Sequence, residues 1–205
     1  MLNFENLTSF QIDVLREIGN IGSGNAATSF SKMLGKRIEM NIPEVKIFDF
    51  KDLSEILGEA ETVVVGLLLS ITGDVQGFIL FILEYEQAKL LVEMLLSELS
   101  PFTGEFGELE ISVLKEVGNI LSASYISALS TLTNLRIVQG VPEIAIDMSG
   151  AILSVPAIEL GKVSDTVLFI ETQFMQDENT ITGNFFLVPD LETYDNLLHA
   201  LGVLD

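Results

Sequence analysis

The sequence predicts an α+β fold with a pseudo-twofold internal duplication. Three observations predict it: a polar motif that recurs after 99 residues, a long helical pattern around each copy, and apolar strand-like runs between the helices. Each half is expected to contain a long motif-bearing helix, antiparallel strands and a second helix. The strands of both halves are expected to merge into one continuous sheet, because a large unit buries more apolar surface than two small ones.

The recurring motif has a variable polar residue, a glutamate four positions later, an asparagine three positions after that, and a proline after twenty-two more residues. The first copy is Asp13, Glu17, Asn20 and Pro43. The second copy is Ser112, Glu116, Asn119 and Pro142. Much of the surrounding sequence differs between the copies, whereas the glutamate and the asparagine are the same. That internal comparison favours a functional role over passive inheritance from a duplication.

The repeat extends beyond the motif. Gly77, at the start of one apolar run, aligns with Gly183, so the offset has risen from 99 to 106 residues. Small loop insertions produce such a drift. We therefore divide the chain into two repeats, at about 7–99 and 106–205, and expect them to form a single domain that spans residues 1–205.

Periodicity and turn residues predict the individual elements. Apolar residues recur at helical spacing over 7–35 and 106–134, and Gly35 is a suitable C-terminal cap for the first helix. The other predicted elements are a strand region at 36–50, a short helix or turn from Asp52 to Leu57, strands from Glu61 to Ile71 and from Val75 to Leu83, and helices at 85–99 and 190–200, the last capped by Asp190.

The charge and composition exclude several classes of function. The chain has 30 acidic and 10 basic residues, a net charge of −20, and a surface of that sign repels nucleic acid and anionic membranes. Its longest apolar run, Val63 to Ile71, is far shorter than the roughly 20 residues that span a bilayer. The N-terminus does not resemble a signal peptide, so a cytoplasmic protein without membrane insertion is expected. With no cysteine, the chain has no disulfide, thiolate nucleophile or zinc–cysteine site.

Small residues crowd the first motif helix, which contains Gly19, Gly22 and Gly24. Each glycine costs roughly 1 kcal/mol relative to alanine inside a helix. The close approach of another backbone, or of a docked partner, is expected to offset that cost. We expect the small residues beside Asn20 and Asn119 to leave room for a partner's loop.

On a helix, the three polar positions of each motif fall on one stripe, which is expected to reach the surface. Solvated surface residues are the simplest interpretation of one copy, and docking alone is a further alternative. Catalysis by the stripe would have to proceed without a nucleophilic triad, since the single histidine, His199, reads as a surface residue. An asparagine can still orient an attacking water in phosphoryl transfer. The partner would then supply Mg²⁺ and a lysine, and this chain would need no cofactor or metal of its own.

The duplicated, spaced motif resembles that of the CheC–CheX–FliY family of bacterial chemotaxis phosphatases. The resemblance covers essentially the whole chain, and two complete copies argue against the single-motif CheX branch. It implies hydrolysis of the aspartyl phosphate of the response regulator CheY. Glu17 and Asn20 would form one site and Glu116 and Asn119 the other, with each asparagine orienting water and each glutamate pairing with the regulator's lysine. The accessory residues would be Asp13 and Ser112, and the structural ones Pro43 and Pro142.

The resemblance also implies a second partner, the receptor deamidase CheD. Its surface is expected in the second-half strand region, around Ile144 to Leu153. A monomer is expected. The alternative function is a non-catalytic adaptor that docks CheY and CheD through the polar stripes.

Overall fold

The computed structural model describes residues 9–42, 44–49, 59–96, 104–159, 166–176 and 179–202. The helices are α1 (Ser9–Leu34), α2 (Tyr85–Leu96), α3 (Glu108–Thr133), α4 (Ser149–Glu159) and α5 (Leu191–Ala200). The strands are β1 (Glu39–Asn41), β2 (Val45–Asp49), β3 (Val63–Gly73), β4 (Gly77–Glu84), β5 (Ile137–Gln139), β6 (Glu143–Met148), β7 (Thr166–Gln176) and β8 (Asn179–Pro189).

The described strands form one eight-stranded sheet in the order β1–β7–β8–β4–β3–β5, with β2 also paired to β7 and β6 to β3. Each of these pairs is antiparallel. The two long hairpins, β3–β4 and β7–β8, join through β4 and β8 at the centre. The prediction of an α+β fold with a continuous sheet and a pseudo-twofold duplication is confirmed.

The pairing of β4 with β8 places the pseudo-twofold axis. Leu80 pairs with Phe186, which lies 106 residues further along and so occupies the same position in the second repeat. The axis exchanges the pairs on either side, Phe78 with Val188 and Asn184 with Ile82, because Phe78 corresponds to Asn184 and Ile82 to Val188 at the same offset. The axis therefore passes between Leu80 and Phe186.

Each half places its short strands on the other half's hairpin. Strands β1 and β2 belong to the first repeat but pair with β7, and β5 and β6 belong to the second repeat but pair with β3. The registers agree across the repeat, since Val45 pairs with Ile170 as Ile144 pairs with Leu67. The two repeats are thus interleaved.

Alternating side chains place two cores on opposite faces of the sheet. On β3, Val65, Leu67 and Leu69 are buried in the larger core beneath α1, α2 and α3. Val64 points the other way, into a smaller core where Ile152 of α4 packs with Phe169 and Phe186 of the sheet. The motif helices α1 and α3 therefore pack on the face of the sheet that carries the larger core.

Several finer predictions are also confirmed. Gly35 follows α1 with φ of 63°, a left-handed conformation that glycine adopts without strain. Asp190 caps α5, where its Oδ1 accepts a hydrogen bond from the Thr193 amide at 2.9 Å. The turn or helix predicted from Asp52 to Leu57 lies outside the described residues.

One helix was missed. No helix was predicted for residues 149–159, which form α4. This segment is apolar on most of its positions and contains Pro156, so it lacks the one-sided periodicity that predicts a surface helix. It follows β6 directly and packs on β3 and β6.

Candidate functional site

Helices α1 and α3 pack against each other as an antiparallel pair. In the middle of the pair, the ring of Tyr125 lies against Gly22. Towards one end, Lys32 in the last turn of α1 lines the same groove as Glu116 near the start of α3. Each motif therefore lies in the N-terminal half of its own helix and beside the C-terminal half of the other.

The first motif is an open surface. Asp13, Glu17 and Asn20 are all exposed on α1, as the stripe predicted. The carboxylate of Asp13 lies 4.0 Å from the guanidinium of Arg16, a long contact between two exposed side chains that contributes little to stability. Behind the motif, the Ser23 hydroxyl donates a hydrogen bond to the Asn20 carbonyl at 3.1 Å.

The second motif lies in a groove. Ser112 and Glu116 are exposed on α3, but Asn119 is half-buried. The groove has a volume of about 620 Å³. Its walls include Asn25, Thr28 and Lys32 from α1, Glu116, Asn119 and Ser127 from α3, and Gln139 from β5. The same motif therefore occupies two different environments.

The proline of the second motif lies between two short strands. Pro142 is buried between β5 and β6, and the structural role expected of it stays a prediction. Pro43 lies outside the described residues.

Of the two reasons expected for the glycines of α1, close packing within the chain or room for a docked partner, packing within the chain applies to Gly19 and Gly22. A Cβ on Gly22 would overlap the Tyr125 ring, and one on Gly19 would lie 3.0 Å from Ile42 Cδ1. Both glycines therefore accommodate side chains of this chain. Gly24 alone of the three has nothing within 4 Å of such a Cβ. On α3, Gly118 likewise makes room for Leu67.

Sequence reasoning missed Lys32 and Gln139 as neighbours of the second motif. They come from α1 and β5 and lie beside Asn119 only because the two repeats pack together. Their equivalents in the opposite repeat, at the offset of 99, are Thr131 and Met40. Divergence at these positions was the available signal, but nothing in the sequence connected them to the motif.

The described residues carry few features of other kinds of site. Within them, no group of three or more His, Asp or Glu side chains is arranged to hold a metal ion. No described helix has both the length and the apolar character to cross a membrane. His199 is exposed on α5 and does not line the groove beside the second motif.

The architecture defines a fold class that includes two solved structures, FliY and the FliM middle domain. The structure of FliY from Thermotoga maritima matches with a TM-score of 0.74 at 20% identity, covering 96% of this chain and 98% of that one. The FliM middle domain from H. pylori matches with a TM-score of 0.65 at 11% identity, covering 95% and 99%. At these identities the likeness shows the fold alone.

Sequence comparison identifies the family within that class. The profile of the CheC-like family matches residues 10–47 and 109–146, which contain both copies of the motif. The CheY-P phosphatase CheC of Bacillus subtilis is 32% identical over 203 residues, 97% of each chain. A putative CheY-P phosphatase, CheC1 of Halobacterium salinarum, is 21% identical over 191 residues, 93% of this chain and 96% of that one. The chain belongs to the CheC-like family.

Proposed function

We propose that this chain is a protein phosphatase that hydrolyses the aspartyl phosphate of CheY through two sites, Glu17 with Asn20 and Glu116 with Asn119. One observation carries the proposal: the same Glu-x-x-Asn stripe lies on the outer side of both long helices, in a relative of a protein named CheY-P phosphatase. Neither stripe packs into the core, so both can meet a partner.

The proposed reaction needs only positioning from this chain. The Asn20 or Asn119 amide orients a water whose oxygen attacks phosphorus opposite the aspartyl oxygen. The P–O bond to the aspartyl group breaks, the carboxylate leaves with the bond electrons, and inorganic phosphate forms. Glu17 or Glu116 pairs with the regulator's lysine and holds the helix in register.

The net charge of this chain suits a role in which the regulator, and not this chain, binds the phosphoryl group. A net charge of −20 does not suit capture of a free phosphate. In the proposed complex, Mg²⁺ and lysine on the regulator neutralise the phosphoryl group, and this chain contributes a neutral amide and a carboxylate. It would need no metal or cofactor of its own.

The decisive experiment measures phosphate release from phosphorylated CheY by Asn20→Ala, Asn119→Ala and the double variant. The double variant should lose roughly 100-fold or more in turnover, since a positioned polar group is worth about that much in other enzymes. Losses of the single variants should be additive if the sites act independently. Full activity in the double variant with normal CheY binding would overturn the water-positioning role of the two asparagines. No phosphate release by the wild type, with CheY still bound, would favour the adaptor alternative.

The role of the glutamates is tested through binding. Glu17→Lys with Glu116→Lys should abolish docking, because like charges would face each other at the regulator's lysine. Glu59→Lys with Glu105→Lys is the matched control, since both residues are exposed and acidic, lie outside the helices and strands, and together give the same change of charge. If the motif variant binds CheY as well as the control does, the ion-pair assignment is wrong.

We also propose that CheD binds the region around β6, as the family resemblance implies. The expected surface needs one correction: residues 149–153 are helical, so the strand ends at Met148. Val63, Ile146 and Met148 are large apolar residues exposed there, with Val63 and Met148 directly paired. Ile146→Asp should weaken CheD binding, measured by calorimetry, and leave hydrolysis of CheY phosphate unchanged. Unchanged CheD affinity would place that partner elsewhere.

A further inference from the structure

Gln139 lies on β5, far from the motif in sequence, and lines the same groove as Glu116 and Asn119. We propose that it is a positioning residue for Asn119, because its side-chain oxygen can accept a hydrogen bond from the Asn119 side-chain amide, a bond that the structure itself does not contain. The inference rests on the proposed function of Asn119, and it adds a residue that the motif does not contain. Gln139 acts through Asn119 and does not itself touch the phosphoryl group.

The two ends of the Gln139 amide have different surroundings. Its Nε2 lies 3.5 Å from the backbone carbonyl oxygen of Asn119, a long hydrogen bond. Its Oε1 is buried and accepts no hydrogen bond from any residue that the structure describes. The nitrogen has to face the carbonyl, because the reverse orientation would bring two oxygen acceptors together. Oε1 is therefore left as a buried acceptor that needs a donor.

The side chain of Asn119 can supply that donor. It is half-buried in the same groove, and its Nδ2 carries two hydrogens. A buried acceptor is costly without a partner, so a donor that reaches it is favoured. If Nδ2 donates to Gln139, Oδ1 of Asn119 is fixed on the opposite end of the amide. It is then available to accept a hydrogen bond from the attacking water.

The first motif is supported differently. There, the Ser23 hydroxyl donates to the Asn20 carbonyl from within the same helix. The equivalent residue in α3 is Ser122, whose buried hydroxyl has no hydrogen-bond partner in the described part of the chain. Gln139 takes over the contact with the Asn119 carbonyl, and Met40 stands at its equivalent position in the first repeat. The arrangement with a free amide oxygen therefore belongs to the second site alone.

A kinetic double-mutant test isolates this role. In an Asn20→Ala background, which leaves only the second site, Gln139→Leu should lower kcat about 3- to 10-fold, the effect of one hydrogen bond, with KM for phosphorylated CheY unchanged. In an Asn119→Ala background the same substitution should have no effect on the remaining site. Gln139→Met, which installs the first repeat's residue, is the second variant if leucine prevents folding.

A spectroscopic measurement on the protein without any partner completes the test. The side-chain amide signals of Asn119, assigned in ¹⁵N-labelled protein by their loss in Asn119→Ala, should shift in Gln139→Leu, while those of Asn20 stay in place. Unshifted Asn119 signals, or an equal loss of kcat in both backgrounds, would overturn the inference. If Asn119→Ala in the Asn20→Ala background leaves phosphate release intact, the proposed role of the asparagines fails, and the amide signals still report on the contact between Gln139 and Asn119.

Discussion

The ring of Tyr125 on α3 occupies the space above Gly22 on α1, where any side chain would collide with it. A Cβ at position 22 would overlap the ring at Cδ1 and lie 2.6 Å from Cε1. The glycine is thus a packing requirement at the centre of the motif helix pair. Tyr125 is itself fully buried and also contacts Phe185 of the sheet, with ring centroids 4.5 Å apart, so it cannot move away cheaply.

Gly22→Ala should destabilise the protein by about 1–3 kcal/mol, the usual cost of overpacking a core. The matched control is Gly24→Ala in the same helix, where nothing lies within 4 Å of the added methyl group. The control should be neutral or stabilising by up to roughly 1 kcal/mol, because alanine favours the helix. Urea unfolding measures both. Equal stabilities of the two variants would show that the ring yields to the methyl group.

Tyr125→Phe should also destabilise the fold, by about 1–3 kcal/mol. The phenol oxygen lies 3.0 Å from the Thr172 hydroxyl, and both groups are buried, so the variant leaves Thr172 without that partner. Thermal or urea unfolding at neutral pH measures the loss. Val138→Ala, an exposed strand position in the second repeat, is a control that should change stability far less.

At alkaline pH, the stability of the wild type should depend on pH differently from that of Tyr125→Phe. Burial raises the pKa of Tyr125 above the ordinary value of 10.0 that the unfolded chain has. The folded state then holds the phenol proton more tightly, so its contribution is complete below pH 10 and declines as pH rises above it. Unfolding free energies measured between pH about 8 and 11 should fall more steeply for the wild type than for Tyr125→Phe. Parallel curves would contradict the raised pKa.

Lys32→Thr should weaken the binding of phosphorylated CheY at the proposed second site. Lys32 is an exposed cation beside Glu116, and a phosphorylated partner in that groove would be attracted to it. In an Asn20→Ala background, KM should rise by up to about fivefold, the range of one exposed charge contact, and the difference should shrink at high salt. The reciprocal change Thr131→Lys, tested in an Asn119→Ala background, should lower KM at the first site. A kcat effect with constant KM would contradict a docking role.

The strand exchange predicts that neither repeat folds alone. Fragment 1–102 lacks β7, on which β1 and β2 depend, and fragment 103–205 lacks β3, on which β5 and β6 depend. Each should be largely unfolded or self-associated, and an equimolar mixture should regain the circular dichroism of the intact chain. A fragment 1–102 that is monomeric and unfolds cooperatively would show that the repeats are independent domains.

The duplicated motif made the symmetry of this fold predictable. Equal residues at a slowly rising offset indicated two similar halves, and the register of Leu80 with Phe186 follows the offset of 106 that Gly77 and Gly183 had indicated. The long helices and hairpin strands were predictable because their periodicity is local. The choice of partner by β1 and β5 was not, because strands of three residues carry too little pattern to specify a distant neighbour.

The same limit applies to the site. The stripe of Glu17 and Asn20 follows from helical geometry, and its exposure was predicted. The groove around Asn119 depends on how α1 crosses α3, which is decided by tertiary contacts such as that of Gly22 with Tyr125. Lys32 and Gln139 enter the site only through that packing, so a motif read along the chain could not include them.

Because the repeats are interleaved, a destabilising mutation in one repeat affects the motif helix of the other. Helix α1 is anchored through β1 and β2 to a hairpin encoded in the second half of the gene, and α3 through β5 and β6 to one encoded in the first. A mutation that loosens β7 therefore harms the motif at Asn20, and one that loosens β3 harms the motif at Asn119. Neither motif helix is supported by its own repeat alone, so neither repeat can lose stability without affecting the motif of the other.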